Sequence, residues 1–344
     1  MRIGVIDPTL DPRWRAFVQR HPAGGIFHSP EWLTALRRAY GYKPVAYVGF
    51  DGGGEITTGI PFCDVRSVVT GHRLISLPFS DHCQPLTANA HELNELLSTI
   101  QDDVRRQRLK YLEIRPLVAQ DVPSRDGGLK QSGAALLHRL DLSHGEQAIL
   151  DRCHKSRRQT RSQQGTLHFE DGRSDSLLER FYRLLLLTRR RQRIPPQPFA
   201  WFKHLRDCLG NAMSIWIASK NGIPVASIVT LFFKNGVTYK YSCSDSAYNA
   251  ERGTVHLIWR IIQDAIAHGA TELDLGRSDL DNLGLISFKG RWGATQSALI
   301  YYRYPEGGRG PLHQPILASS AKWLLTKIPN SMFTALGGLY RHVG

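Results

Sequence analysis

The feature that most constrains the fold of this chain is an internal repeat. Residues 56–86 read ITTGIPFCDVRSVVTGHRLISLPFSDHCQPL, and residues 219–248 read SKNGIPVASIVTLFFKNGVTYKYSCSDSAY. Each stretch has Gly-Ile-Pro opening an apolar run, then a glycine turn, a second strand-like run and Ser-Asp. Gly222 follows Gly59 by 163 residues, and the two Ser-Asp pairs are 164 residues apart. This regular spacing predicts a duplicated structural unit.

The match between the two copies continues downstream. Ile-Gln-Asp occurs in a helical stretch at 100–102 and again at 262–264, and each occurrence leads to a short strand-like run, at 111–115 and 272–276. The offsets here are 162 and 161 residues, so the register drifts by only a few positions. Each copy therefore predicts the order strand, turn, strand, strand, helix, strand, which is a mixed α/β (α+β) architecture.

The composition indicates a soluble globular protein with a strong basic bias. Hydrophobic residues make up 42% of the 344 residues, and 44 basic side chains outnumber 30 acidic ones, giving a formal charge of +14. Such an excess favours polyanionic partners, which include nucleic acid, nucleotide diphosphates, acidic glycans and an anionic membrane surface. The charge alone does not choose among them.

The cysteines and the apolar runs predict a reducing, cytoplasmic setting. The five cysteines show no CxxC motif and no regular spacing, which argues against a disulfide framework and against a cysteine zinc site. We expect no metal. The N-terminus, MRIGVIDPTL, lacks a basic region followed by a long apolar run, and no apolar run approaches the ~20 residues that span a bilayer.

One strand-like pattern ends in a dense cluster of charges. Residues 273–294 read LDLGRSDLDNLGLISFKGRWGA, and the alternation of apolar and polar residues stops at Gly276. Acidic and basic side chains then crowd beside Phe288 and Trp292. Loops that follow the strands of a mixed sheet commonly carry ligand contacts. This stretch is therefore the strongest candidate for a functional site.

The duplicated pattern resembles tandem GNAT domains, and more specifically the FemAB family. The segments that carry the resemblance are FHSPEWLTAL (27–36), the Gly-Ile-Pro hairpin with LISLPFSDHCQPL (74–86), TRRRQRIPPQPFAWF (188–202) and GRSDLDNLGLISFKGRWGA (276–294). The last segment is the most specific, because the order Gly-Arg-Ser-Asp, Phe-Lys, Trp-Gly is elaborate. The chain looks similar to the FemAB-like proteins associated with bacterial exopolysaccharide and envelope loci.

The resemblance implies two tandem GNAT-like domains, each a mixed, largely antiparallel sheet flanked by helices. We expect an N-terminal domain at 1–145, a C-terminal domain at 146–305 and an amphipathic basic tail at 306–344. Docking on the domain and peripheral contact with the inner face of the membrane are both open for this tail.

The resemblance also implies an acyltransferase. FemAB enzymes attach an aminoacyl group from aminoacyl-tRNA to a peptidoglycan precursor, and related GNAT proteins use acyl-CoA. We expect one of these two as co-substrate, no permanently bound cofactor, and a phosphorylated or lipid-linked sugar or peptide as acceptor. The long charged heptad pattern of the coiled-coil arm is absent from the sequence, which weakens the aminoacyl-tRNA interpretation. The alternative is a non-catalytic GNAT-fold module that binds an anionic polymer such as RNA or an acidic glycan.

Acyl transfer needs positive charge near the developing oxyanion, and the resemblance places the Phe-Lys pair where donor and acceptor meet. Lys289 is the candidate for the cationic role, and Phe288 would hold it by packing. The alternative is a solvated lysine in a loop. Asp279 is a candidate base or orienting group, although a carboxylate between cations suits charge positioning better than proton abstraction.

Further candidates for substrate binding accompany these catalytic candidates. Four of them lie in the same loop, and they are Arg277, Asp281, Asn282 and Arg291. The alternative for these residues is an ion-pair network that fixes the loop. In the first repeat, Asp81 and Arg115 are candidate acceptor contacts, and an ordinary ion pair is the alternative for Arg115. A run of arginines before the PPQP turn suits phosphate or a solvated face, and the candidates in it are Arg190, Arg191 and Arg193.

Overall fold

The computed structural model describes residues 2–118, 128–162, 167–305, 325 and 328–343, with the side chains of 159–162 and 343 left out. The chain divides into two compact units. The first contains Met1–Ala135, Ala298–Ile316 and Gly338–Gly344, and the second contains Leu136–Ser297 and Leu317–Gly337.

Within these residues the strands, in chain order, are β1 (Arg2–Ile6), β2 (Lys43–Phe50), β3 (Ile56–Ser67), β4 (Gly71–Ile75), β5 (Tyr111–Ile114), β6 (Lys130–Asp141), β7 (Leu167–Gly172), β8 (Met213–Lys220), β9 (Ile223–Phe233), β10 (Gly236–Ser244), β11 (Glu272–Ser278) and β12 (Thr295–Tyr304). The helices are α1 (Pro12–Arg20), α2 (Pro30–Tyr40), α3 (Ala90–Arg106), α4 (Gly145–Arg152), α5 (Lys155–Ser162), α6 (Asp175–Gln192), α7 (Phe199–Leu209), α8 (Gly253–Ala267), α9 (Leu283–Gly290), α10 (Asn330–Ala335) and α11 (Tyr340–Val343).

The sheet of the first unit has the strand order β1-β2-β3-β4-β5-β12. Its first four strands are antiparallel neighbours, β5 is parallel to β4, and β12 is antiparallel to β5. The parallel step needs a crossover connection, and α3 supplies it. Leu93, Leu97 and Ile100 of α3 are buried against the core of this unit.

The sheet of the second unit repeats this plan. Its order is β7-β8-β9-β10-β11-β6, with antiparallel neighbours up to β10, a parallel step to β11 and an antiparallel β6. The crossover between β10 and β11 is α8, whose Ile258, Ile261 and Ile262 are buried in the core of the unit. The Ile-Pro pair of each copy lies on corresponding strands, β3 and β9, as the repeat predicts.

The last strand in each of these two strand orders, β12 in the first and β6 in the second, is distant in sequence from the strand that it pairs with. β6 follows β5 in sequence but pairs with β11, and β12 follows β11 but pairs with β5. Neither compact unit is therefore one continuous stretch of sequence. The units are defined by contacts rather than by the repeat, so the domain boundaries at 145 and 305 stay a prediction.

Part of the predicted tail can be described. Of the amphipathic basic tail expected at 306–344, residues 306–324, 326–327 and 344 lie outside the described residues. In the described part of the tail, α10 and the residues up to Gly337 belong to the second unit, and α11 belongs to the first. Among the described residues, no helix combines the length and the apolar character needed to cross a bilayer.

Candidate functional site

The loop singled out by the sequence begins at a bulge in β11. The pairing of β11 with β6 shifts between Asp274 and Arg277. Gly276 has a φ of 74°, which glycine adopts without the steric cost that a side chain adds. Its amide donates to Oδ1 of Asp274 over 2.7 Å. The alternating pattern stops at Gly276 because the strand bulges there, and the side chain of Asp274 holds the bulge.

Lys289 lies on α9 and is buried, with 4% of its surface exposed. Its ammonium group donates to the carbonyl oxygens of Gly276, at 2.9 Å, and Arg277, at 2.7 Å. A carbonyl that accepts from a charged donor makes one of the stronger hydrogen bonds in a protein. The alternative of a solvated lysine is wrong, because this side chain ties α9 to the bulge of β11.

A buried histidine accompanies Lys289. His138 on β6 is fully buried, and neither of its ring nitrogens has a hydrogen-bond partner among the residues that the structure describes. Burial and the charge of Lys289 lower the pKa of His138 to about 4, and Asp274 opposes that shift. The imidazole is therefore neutral near pH 7, so it adds no second positive charge beside the ammonium group.

The acidic residues of the loop lie nearer the surface. Arg277 pairs with Asp279, whose side chain is about half exposed. Asn282 caps α9, because its Oδ1 accepts from the amide of Leu285 over 3.1 Å. The side chain of Asp281 is exposed. Asn282 and Arg277 therefore shape the loop through these contacts. The carboxylate of Asp281 is exposed to solvent.

An arginine outside the predicted set packs on the aromatic residues of this loop. The guanidinium carbon of Arg157 on α5 lies 4.7 Å from the ring centre of Phe288 and 5.2 Å from that of Trp292. Its Nη2 donates to the carbonyl oxygen of Phe288 at 3.4 Å, while Nε has no partner within the described part of the chain. Phe288 thus packs against Arg157.

Two further arginines act electrostatically on this guanidinium. Burial, then the charges of Arg291 and Arg252, lower the pKa of Arg157 to about 10. Arg291 is exposed at the end of α9, and Arg252 directly precedes α8. No carboxylate of the described residues forms an ion pair with Arg157. Three like charges brought together in this way favour an anionic ligand.

The N-terminus of α8 adds to this positive character. Gly253 begins the helix, and a Cβ atom placed there would lie 3.0 Å from Cβ of Ala226 and 3.2 Å from Cγ2 of Val225. Glycine therefore lets the first turn approach β9 closely. Free amides and the helix dipole make such a terminus attractive to anions.

The candidates of the first repeat lie in the first unit. Arg115 is 9% exposed and donates to Glu113 and to the carbonyl oxygens of Leu77 and Ser80. Although burial raises the pKa of Glu113, the guanidinium groups of Arg115 and Arg303 bring it below its usual value. Arg115 thus forms an ion pair that fixes its surroundings, which is the alternative that the sequence left open.

Asp81 is half-buried, and its main-chain oxygen accepts from the hydroxyl of Tyr301 at 2.5 Å. Asp81 and Arg115 are both within the same unit, where the carbonyl of Ser80 links the two positions. Their role in acceptor binding stays a prediction.

The predicted arginine run does not form one cluster. Arg190 contacts the stretch around α10, because it donates to Asn330 and the carbonyl of Leu325 and lies 4.7 Å from the ring of Phe333. Arg191 is exposed and donates to the carbonyl of Ser244 at 3.2 Å, and Arg193 is exposed at the end of α6. Only the last two present their charge to solvent.

The sequence did not single out Arg157, Arg252 or His138 as site residues. Arg157 belongs to the basic run KSRR, and such a run usually indicates a solvated helix face. Nothing in the sequence distinguishes His138, since a histidine in a strand carries no motif. In the described part of the chain, no group of three or more histidine, cysteine, aspartate or glutamate residues is arranged to hold a metal.

A family model matches part of the chain. Residues 151–283 match the family model described as an acetyltransferase (GNAT) domain. This match includes α8 and the bulge of β11. No curated protein matches the sequence.

Several solved structures share the fold. FemX is 15% identical, with a TM-score of 0.71 over 88% of this chain and 97% of its own. A C-terminal domain of a putative lysylphosphatidylglycerol synthetase from Agrobacterium fabrum is 14% identical, with a TM-score of 0.57 over 86% and 91%. A tandem GNAT protein from the clavulanic acid biosynthesis pathway is 11% identical, with a TM-score of 0.57 over 88% and 98%.

These similarities define the class of the protein. The expectation of a FemAB-like tandem GNAT fold, with mixed sheets flanked by helices, is confirmed. The GNAT domain also confirms the expectation of an acyltransferase. The donor, the acceptor and the individual site residues stay predictions.

Proposed function

We propose that the protein transfers an acyl or aminoacyl group, and that the donor is acyl-CoA or aminoacyl-tRNA. The acceptor is an amine or hydroxyl of a precursor of the cell envelope or of an exopolysaccharide. This precursor is phosphorylated or lipid-linked. The observation that carries the proposal is the cluster of Arg157, Arg252 and Arg291 beside Phe288. Both donors present phosphate groups, and guanidinium groups bind phosphate well.

In this proposal the arginine cluster binds the phosphates of the donor. Its phosphates pair with the three guanidinium groups and with the N-terminus of α8. An anion there also relieves the mutual repulsion of the three arginines. This arrangement serves CoA and tRNA alike, because the cluster recognises phosphate rather than the rest of the donor.

The reaction is a nucleophilic acyl substitution. The amine or hydroxyl of the acceptor attacks the donor carbonyl, a C–N or C–O bond forms, and the bond to the CoA sulfur or the tRNA ribose oxygen breaks. The proton of the nucleophile is transferred to a base and then to the leaving group. The exposed carboxylates of Asp279 and Asp281 are the proposed groups that orient the acceptor.

Lys289 has a positioning role in this scheme. Its ammonium group is already bound to the carbonyl oxygens of Gly276 and Arg277. It therefore fixes the loop that carries Asp279 and Asp281. Its charge also adds to the positive potential in the second unit, where it would favour a developing oxyanion.

The acceptor class is supported by the neighbours in fold. One of these neighbours is FemX, and another is a domain of a putative lysylphosphatidylglycerol synthetase. By analogy, the acceptor proposed here is an envelope precursor. The proposed location is the cytoplasm, with peripheral contact at the inner face of the membrane.

Ligand-induced stabilisation tests the proposal. The melting temperature is measured with acyl-CoA, charged tRNA and nucleotide-sugar precursors, and uncharged tRNA and ADP serve as controls. A ligand that binds the native state raises the melting temperature. Specific stabilisation by one donor, lost in Arg157→Met, supports the proposal. Equal stabilisation by every polyanion would instead favour a non-catalytic module that binds anionic polymers.

A further inference from the structure

The turn between β3 and β4 in the first unit exposes two apolar side chains. Val68 is 99% exposed and Val69 is 74% exposed. The strands on either side stay paired up to Ser67 and Gly71, so the two valines stand at the tip of a hairpin. Isolated apolar residues on a surface are ordinary, but adjacent valines at a hairpin tip form a small apolar projection.

The chain holds this tip in place from below. The hydroxyl of Ser67 accepts from the amides of Val69 and Thr70, both at 3.1 Å, and it also contacts Nδ1 of His342 at 3.0 Å. The carbonyl of His342 accepts from Thr70 and from Arg73. The turn is thus fixed in a conformation that directs both valines outward instead of folding them against the sheet.

Basic side chains lie beside the projection. A cleft of about 540 Å³ adjoins Val68, and Lys43, Arg66 and Arg341 line it. Lys110 donates to the carbonyl of Thr70 at 3.3 Å. Asp64 is the acidic residue that lines this cleft, and it contacts Arg66 and His72. Positive charge therefore predominates around the apolar tip.

We propose that this hairpin is a membrane-docking element, in which Val68 and Val69 insert among the acyl chains while Lys43, Arg66 and Arg341 contact the phosphates of anionic lipids. An apolar projection with cations beside it matches the acyl chains and the phosphate layer of an anionic bilayer surface. RNA fits less well, because Tyr40 and Tyr42 beside the cleft are buried, with 8% and 3% of their surface exposed, and offer little ring surface for base stacking.

The docking element is independent of the proposed reaction, since vesicle binding is measured without any transfer. The experiment is sedimentation of the full chain with vesicles of phosphatidylcholine alone or with a third phosphatidylglycerol. We expect binding to the anionic vesicles only. The double variant Val68→Asp, Val69→Asp should reduce that binding at least tenfold at an unchanged melting temperature.

Two controls separate the apolar and the electrostatic parts. Leu10→Asp changes a residue of the same unit that is 75% exposed and lies beside Asp7 and Asp11, and it should leave vesicle binding unchanged. The triple variant Lys43→Ser, Arg66→Ser, Arg341→Ser should weaken the binding and flatten its salt dependence. The proposal is overturned if the wild type does not sediment with anionic vesicles, or if the double aspartate variant binds as well as the wild type. It is also overturned if the hairpin tip proves to be a self-association surface. The same holds if the valines are needed for RNA binding and are not needed for vesicle binding.

Discussion

The ammonium group of Lys289 lies 2.7 Å from the carbonyl oxygen of Arg277 and fixes α9 to the bulged end of β11. The same group donates to Gly276, so one buried cation satisfies two neighbouring carbonyls. The charged segment that follows the bulge of β11 is therefore ordered by an interaction with the main chain. This relationship gives Lys289 a structural contribution in addition to the one it is proposed to make to transfer.

The first prediction concerns that contribution. Lys289→Met keeps most of the aliphatic volume but leaves two carbonyls without their donor, which should lower the free energy of unfolding by about 1–3 kcal/mol. Urea-induced unfolding checks this value. Lys203→Met, at an exposed position of the same unit, is the control and should change stability little. Unchanged stability in Lys289→Met would show that other donors replace the ammonium group.

The second prediction concerns stability at acid pH. The pKa of His138 is lowered to about 4, whereas an unfolded histidine titrates near 6.5. Between these values the unfolded chain binds a proton that the folded chain does not bind. The free energy of unfolding should therefore fall as the pH falls from about 6.5 to about 4, by up to about 1.4 kcal/mol per pH unit for each such group.

His28 in the first unit contributes in the same direction, because burial also lowers its pKa to about 4. The measurement is urea unfolding between pH 4.5 and 7.5. His138→Phe should reduce the slope of stability against pH, and His91→Phe, at an exposed position, controls for the added ring. A slope that is identical in wild type and His138→Phe would mean that His138 is protonated in the folded state too.

The third prediction separates binding from stability at the arginine cluster. Arg157→Met removes a guanidinium that is repelled by Arg252 and Arg291 and has no carboxylate partner in the described residues. Removing a half-buried charge that is repelled by its neighbours should leave the melting temperature equal or higher. Donor affinity should fall at least tenfold, since a guanidinium contact to phosphate is lost. Calorimetric titration with the donor measures the affinity.

Arg158→Met is the matched control for Arg157→Met, because Arg158 is an exposed arginine at the next position of α5. It should reduce donor affinity less than threefold. A large loss of melting temperature in Arg157→Met, with donor affinity retained, would assign Arg157 to packing against Phe288 and Trp292 alone.

The fourth prediction divides the arginine run by function. Arg190 holds the stretch around α10, so Arg190→Met should expose that stretch to limited proteolysis. Arg191→Ser and Arg193→Ser should leave proteolysis unchanged, because both side chains are exposed. If these two bind substrate phosphate, their removal should weaken binding and flatten its salt dependence. An unchanged salt dependence would leave them as solvated charges.

The repeat predicted the fold well because it is a local property of each copy. Gly59 and Gly222 with their Ile-Pro neighbours mark β3 and β9, and the helical pattern of Ile258 and Ile262 marks α8. The pairing of β6 with β11 was not predictable, since which strand completes a sheet depends on contacts that are distant in sequence. The alternation of apolar and polar residues predicts that a strand forms, but it does not predict which strand pairs with it.

The candidate site was predictable only in part, for a similar reason. Gly276 and the Phe-Lys pair carry a recognisable motif in one continuous loop. Arg157 comes from α5, and His138 comes from β6, so their proximity to the loop depends on tertiary packing. Sequence also could not show that Lys289 is buried, because a lysine among charged residues usually remains in solvent.

The proposed transfer is the centre of this account, and it is tested most directly by following a labelled acyl group from donor to acceptor. Purified protein is incubated with labelled acyl-CoA or charged tRNA and a phosphorylated envelope precursor, and the label on the precursor is counted over time. The account predicts transfer that depends on one of the two donors and falls at least tenfold in Arg157→Met but not in Arg158→Met. Absence of label from every acceptor, in protein that binds the donor with full affinity, would contradict it.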